Sequence, residues 1–219
     1  MIFLNFKTYE SGTALAAVNM AKVAKSVAQE TGIKIISVVQ PNDIREVCEQ
    51  VAATVWSQKI DGVSFGAHTG SIIPEAVKND GAVGTFLNHS ENRLIDLEHI
   101  AIAVKRAREV GLSVLVFAKD EYELEKVSTL KPDYISYEPP ELIGNKEMSV
   151  VNAKPDIVSK AVNISKIHNI PLIIGAGVQS KEDVKRSLEL GVSGIAVSSG
   201  VMLASDPRAK LMELAEGFK

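Results

Sequence analysis

Short aliphatic runs recur along the chain, and most are followed by a stretch in which apolar residues return every three or four positions. The runs IFLNF, KIISVV, TVWSQ, AVGTFL, SVLVFA, DYISY, PLIIGA and GIAVSS are nearly continuous in hydrophobicity, the pattern of strands covered on both faces. Helical periodicity is plain over residues 13–30, 93–110, 121–129, 154–168, 181–190 and 207–216. Two shorter helical segments lie near 43–53 and 74–78. Buried strands that alternate with helices predict parallel pairing. No composition break, Gly/Ser linker or low-complexity segment divides residues 1–219. The economical reading is therefore an α/β protein, one (β/α)8 barrel domain over 1–219, near the lower size limit of that fold. A doubly wound sheet would need fewer strands or a second domain.

Composition narrows the function classes more than the fold. A chain of 219 residues that is 46% hydrophobic can bury a sizeable core. Its net charge of −3 gives no reason to expect nucleic acid or an anionic membrane as a partner. The lone cysteine, Cys48, rules out an internal disulfide. The histidines His68, His89, His99 and His168 show no ligand spacing, so no metal is expected. The opening apolar run, MIFLNFKTYE, is interrupted by Asn5 and Lys7 and is too short for a signal peptide. With no apolar stretch of about 18 residues either, the expectation is a soluble, cytoplasmic protein.

A barrel converts position into meaning, because its active site lies at the carboxyl ends of the strands. Asn5 and Lys7 follow the first run, Gln40 the second, and Asn88, His89, Ser90 and Glu91 the fourth. Glu138 follows the sixth, directly before two prolines that fix the backbone leaving it. Gly175 and Gly177 follow the seventh, and Ser198, Ser199 and Gly200 the eighth, with a short helix expected near residue 201. Each has an ordinary reading taken alone: Glu138 as a solvated strand cap, Lys7 as a surface lysine, His89 as a structural histidine, the glycines as tight turns. Together they predict chemistry. A held carboxylate opposite a neutral hydrogen-bond donor and a cation suits removal of a proton next to a carbonyl and stabilisation of an enediolate. Glycine-rich turns after the last two strands expose N–H groups to a phosphate. His89 precedes the helix expected from 93, whose dipole would keep the imidazole neutral.

In this order along the chain, NFKTY, GAHTG (66–70), NHSE (88–91), YEPPELIG (137–144), GAG (175–177) and SSG (198–200) resemble the motifs of the triosephosphate isomerase family, and the compact length resembles its archaeal branch. The resemblance implies interconversion of dihydroxyacetone phosphate and glyceraldehyde 3-phosphate without a cofactor. It implies Glu138 as base, His89 as neutral electrophile, Lys7 as cation and Asn5 as a positioning group near the substrate oxygens. A glutamate base beside a neutral histidine is already documented for that family. Ile143 and Gly144 would belong to a lid over the phosphate, hinged at Pro139 and Pro140, with Gly177, Ser198, Ser199 and Gly200 beneath it. Ser90 would hold the base and Glu91 would hold Lys7. Thr69, on the 66–71 loop, would support the site of a neighbouring subunit in a homo-oligomer, dimer-based and by analogy with the archaeal branch a homotetramer. The competing readings are another phosphate-binding barrel enzyme and a catalytically inactive barrel that serves as a binding protein.

Overall fold

In the computed structural model, which describes residues 1–138, 155–175 and 177–219, the strands pair in parallel in chain order and the last closes on the first. They are β1 (Ile2–Asn5), β2 (Ile35–Val39), β3 (Val55–Ser57), β4 (Gly84–Leu87), β5 (Ser113–Ala118), β6 (Tyr134–Tyr137), β7 (Leu172–Ile174) and β8 (Gly194–Val197). Among the described residues the helices are α1 (Leu15–Thr31), α2 (Ile44–Val51), α3 (Pro74–Asn79), α4 (Leu97–Glu109), α5 (Glu121–Ser128), α6 (Pro155–His168), α7 (Lys181–Glu189), α8 (Ser199–Met202) and α9 (Pro207–Glu216), with two 3-10 turns at Glu10–Gly12 and Pro41–Asp43. This is the closed eight-stranded α/β barrel that the alternation of runs predicts.

The strands read as continuous apolar runs because they bury both faces. Ile2 and Leu4 of β1, Ile35 and Val39 of β2, and Ile135 and Tyr137 of β6 belong to the layer between sheet and helices. Their neighbours Phe3, Ile36 and Val38 fill the barrel interior with Trp56, Phe86, Leu115, Phe117, Ile173 and Ala196. Phe3, Trp56, Phe86 and Tyr134 pack edge-on or tilted at centroid distances between 5.1 and 6.4 Å. Of these, the fully buried Phe3 and Phe86 each contribute about 1.5–3 kcal/mol by removal from water. Gly84 is part of this packing, since a Cβ there would lie 2.2 Å from the Trp56 ring.

Period two then aims the strand ends. With Phe3 inward, Asn5 faces the mouth; with Tyr134 inward, so do Ser136 and Glu138; with Ile173 inward, so does Gly175. Two helix starts differ from the sequence reading. α4 begins at Leu97 instead of 93, because the Asp96 side chain caps it by accepting the His99 N–H at 3.0 Å. α8 begins at Ser199, two residues before the expected point, with Ser198 at its cap position.

Candidate active site

A cleft of about 510 Å³ opens at the carboxyl ends of the strands and is lined by Asn5, Lys7, His89, Glu138, Gly177, Ser198, Ser199 and Gly200 among others. The described residues predicted for the site thus share one cavity, apart from Ser90 and Thr69, with Glu91 also on its wall. Ile143 and Gly144, the hinge prolines Pro139 and Pro140, and Ala176 lie outside the described residues.

Lys7 stands just beyond β1 in the left-handed region, at φ 47°. For a lysine this costs roughly 1–3 kcal/mol and persists only where neighbours impose it. The imposing groups are visible: the Asn5 side-chain oxygen accepts the Lys7 N–H at 3.0 Å, and the Gln58 amide donates to the Lys7 carbonyl at 2.8 Å. Glu91 accepts from the Lys7 ammonium at 2.6 Å, the partnership the family resemblance implies. Gln58, at the end of β3, does not stand out in the sequence. A polar residue closing an apolar run is the available signal.

His89 sits above the barrel core, stacked over Phe86 at 6.5 Å and 6°, with Phe117 edge-on at 4.8 Å. Asn88 makes this possible. Its φ of 60° breaks the strand alternation and turns the next side chain over the mouth. The Glu91 N–H donates to His89 Nδ1 at 3.2 Å, so the proton of the neutral ring resides on Nε2. Burial lowers the His89 pKa to about 4, against an upward pull from Glu91 and with a smaller downward push from Lys7. The helix after His89 begins at Leu97, four residues beyond the expected start, and removal from water is the largest cause of the shift.

Glu138 is 8% exposed, and its Oε2 is buried with no hydrogen-bond partner among the described residues. Burial raises its pKa to about 7, with Lys7 opposing and Glu91 reinforcing the rise. Oε2 lies 3.7 Å from His89 Nε2, beyond hydrogen-bond length, and with the ring neutral the pair is not a salt bridge. Ser90 Oγ is likewise buried with no partner among the described residues, so no bond from Ser90 holds Glu138; both line a second cavity of about 320 Å³ outside the carboxylate. Space for the Glu138 side chain comes from Gly175, where a Cβ would stand 2.1 Å from Oε1. Because the obstructed atom ends a flexible side chain, Gly175→Ala is expected to fold with near-native thermal stability while displacing the carboxylate. A displacement of about 1 Å in a reacting group costs on the order of 10²-fold. Steady-state kinetics beside a melting curve check this, and native turnover would show that the carboxylate position is unimportant.

The opposite wall is main chain. Gly177, at φ 74°, adopts a conformation that suits glycine, and Ser198 precedes the start of α8 with its Oγ buried and unpartnered among the described residues. Thr69 lies apart, on an exposed loop.

The barrel, with its polar cleft at the strand ends, makes this an α/β-barrel enzyme. A sequence model of the triosephosphate isomerase family matches residues 1–216. The triosephosphate isomerase of Methanobacterium bryantii is 41% identical over 218 residues, covering 98% of this chain and 95% of that protein. Those of Methanosarcina mazei and Metallosphaera sedula are each 40% identical, over 97% and 99% of this chain and 96% and 95% of their own lengths. The chain belongs to the triosephosphate isomerase family. The crystal structure of the Bartonella henselae triosephosphate isomerase superposes with a TM-score of 0.76 over 99% of this chain and 98% of that one, at 17% identity, a likeness of fold.

Proposed function

We propose that this chain interconverts dihydroxyacetone phosphate and glyceraldehyde 3-phosphate, as an aldose–ketose isomerase of glycolysis and gluconeogenesis. The observation that carries the reading is the buried Glu138 oxygen, unpartnered among the described residues, facing the protonated nitrogen of a neutral His89 across one cleft. Glu138 removes the proton from the carbon next to the carbonyl, and the electron pair moves onto the carbonyl oxygen as an enediolate. His89 Nε2–H and the Lys7 ammonium stabilise that oxygen, with Asn5 positioning it. Return of the proton to the former carbonyl carbon, together with passage of the hydroxyl proton from the neighbouring oxygen to the enolate oxygen, completes the isomerisation, so no redox partner is consumed. The N–H groups around Gly177, Ser198, Ser199 and Gly200 hold the phosphate dianion. Glu91 fixes Lys7. No group of His, Cys, Asp and Glu fit to hold a metal occurs among the described residues. Turnover of dihydroxyacetone phosphate, read by a coupled assay, should be unaffected by EDTA; purified protein without turnover would overturn this reading in favour of another phosphate-binding barrel enzyme or an inactive barrel.

The pH dependence follows from the two titrating groups. The base must be ionised, so kcat/KM is expected to fall below about pH 7 by one power of ten per pH step of one, following Glu138 in the free enzyme. His89, at about 4, remains neutral throughout that limb. A flat profile between about pH 5 and about pH 8, the span in which such groups titrate, would remove Glu138 from the base role.

The whole of 1–219 is read as one barrel domain that works in the cytoplasm as a dimer-based homo-oligomer, a homotetramer in its full form. Supporting this, the loop after β3 is exposed from Ser64 to Ser71 and carries Phe65 at 73% exposure. Its base is closed by Asp61 and Ile72, whose mutual bonds measure 2.8 and 2.7 Å, so the tip projects as a formed loop. Beside Lys7 a cavity of about 190 Å³, walled by Asn5, Gln58, Glu91 and Asn92, is open to receive Thr69 of a second copy. Asp at both His68 and Thr69 is expected to yield monomers with impaired activity, followed by light scattering and assay on dilution. Fully active monomers would refute any coupling of assembly to catalysis.

A further inference from the structure

The turn that carries His89 is braced from outside by a carboxylate that the reaction above does not use. No helix holds residues 89–96, yet His89 must keep its ring over Phe86 with Nε2 toward Glu138. Glu123 lies in the first turn of α5, with its own N–H bound by the Asp120 side chain at 2.8 Å. Its Oε2 accepts the Lys119 N–H at 2.8 Å. Its Oε1 accepts the Asn88 amide at 3.3 Å and pairs with the Arg93 guanidinium, so one carboxylate joins both ends of the 88–93 turn.

Asn88 completes the brace. Its amide also donates to the Phe117 carbonyl at 2.9 Å, its side-chain oxygen accepts the Leu94 N–H at 3.1 Å, and its carbonyl accepts from Arg93 at 3.4 Å. The residue is 2% exposed and has φ 60°, the conformation that sends the next side chain over the cleft. The Glu123 side chain is 17% exposed, so these bonds operate largely out of water. A brace of this kind has a use beyond cohesion. The turn it closes holds His89 directly and presents the Glu91 N–H that selects the histidine tautomer.

We infer that Glu123 and Asn88 are positioning residues for the isomerisation: without touching substrate, they hold the 88–94 turn so that His89 stays in one tautomer and one orientation. The inference rests on the reading of His89 as the group that donates to the substrate oxygen. The plain alternative is that the brace only ties the β4 end to the β5 end, which would affect melting and leave the chemistry alone.

The experiment compares Glu123→Ala and Asn88→Gly with the wild type, using ¹⁵N-histidine spectra and steady-state kinetics on dihydroxyacetone phosphate. Glycine accepts the positive φ of position 88, so Asn88→Gly removes the side chain without backbone strain. Glu121→Ala, on the same helix as Glu123, loses only a 3.2 Å pair with Lys160 and is the control for helix charge. In the two brace variants kcat is expected to fall about tenfold or more, with KM changed less than about twofold, since the phosphate grip lies on other loops. The His89 signals, split in the wild type between a protonated Nε2 and an acceptor Nδ1, are expected to move toward the tautomeric average. A folded variant with native kcat and native His89 signals overturns the inference, and if Glu123→Ala fails to fold, Asn88→Gly decides it by the same two readings. His89→Gln measured alongside separates the causes: full activity in that variant overturns the role of His89 itself, whatever the brace does.

Discussion

Glu138→Gln should fold, gain stability and lose on the order of 10³-fold or more in kcat. The amide nearly matches the carboxylate in shape but takes no proton, and general base catalysis typically accounts for about 10²–10⁴-fold. The stability gain follows from the same burial that makes the base. A carboxyl with an ordinary value of 4.5 that is raised to about 7 in the fold keeps its proton in the native state while the unfolded chain has released it. Stability from this group is therefore full at low pH and is lost as pH rises through that window. Above about pH 7 the ionised native carboxylate carries a penalty of order 3 kcal/mol, since each tenfold difference in proton affinity between the folded and unfolded chain is worth about 1.4 kcal/mol. Glutamine removes the penalty, so its advantage in thermal denaturation should be largest near about pH 8 and several-fold smaller near about pH 5. Glu138→Asp provides the geometric control, since it keeps the charge and withdraws it by one methylene, and it should still lose about 10²-fold. Native turnover in either variant would reduce Glu138 to a strand cap. An unchanged melting difference between the two pH values would show that Glu138 is not held neutral by burial.

The barrel was legible because its strands are short, apolar on both faces and separated by helices with their own period. Even the modest segments near 43–53 and 74–78 correspond to α2 and α3. Helix starts were less legible. Between His89 and Asp96 the sequence NRLID carries enough apolar spacing to extend a helix backward. The boundary is set by a side-chain cap at Asp96 that competes with that periodicity.

At the site, residue types at strand ends identified the groups with charges, and their gathering in one cleft follows from period two in β1 and β6. Less visible were the groups that act by shape or by local backbone. Gly175 matters because a carboxylate occupies the space a Cβ would fill. Gln58 matters because it bonds a main-chain carbonyl far away in sequence. Phe117 looked like one more core residue, yet its ring touches His89 and walls the cavity beside Glu138. Such roles depend on which side chains meet across strands. Local pattern does not encode that.

Lys7→Met should cost roughly 3 kcal/mol or more of transition-state stabilisation, as does loss of one strong donor to a developing oxyanion. Methionine keeps an unbranched stem of similar length, so the change falls on the charge. The side chain is 20% exposed and its partner Glu91 is 56% exposed, so breaking their pair should alter stability little. The φ of 47° is imposed by Asn5 and Gln58 through main-chain atoms of residue 7, which methionine retains. Both kcat and affinity for triose phosphate should fall, because an ammonium at the cleft attracts the dianion and stabilises the enediolate. A second consequence tests the electrostatics. Lys7 lowers the pKa of Glu138 while burial and Glu91 raise it, so removing the cation should move the acid limb of kcat/KM above about 7. Measuring the residual activity of Lys7→Met across pH reads both effects at once. Near-native turnover with an unmoved limb would take lysine out of the mechanism and leave the ion pair with Glu91 as its only role.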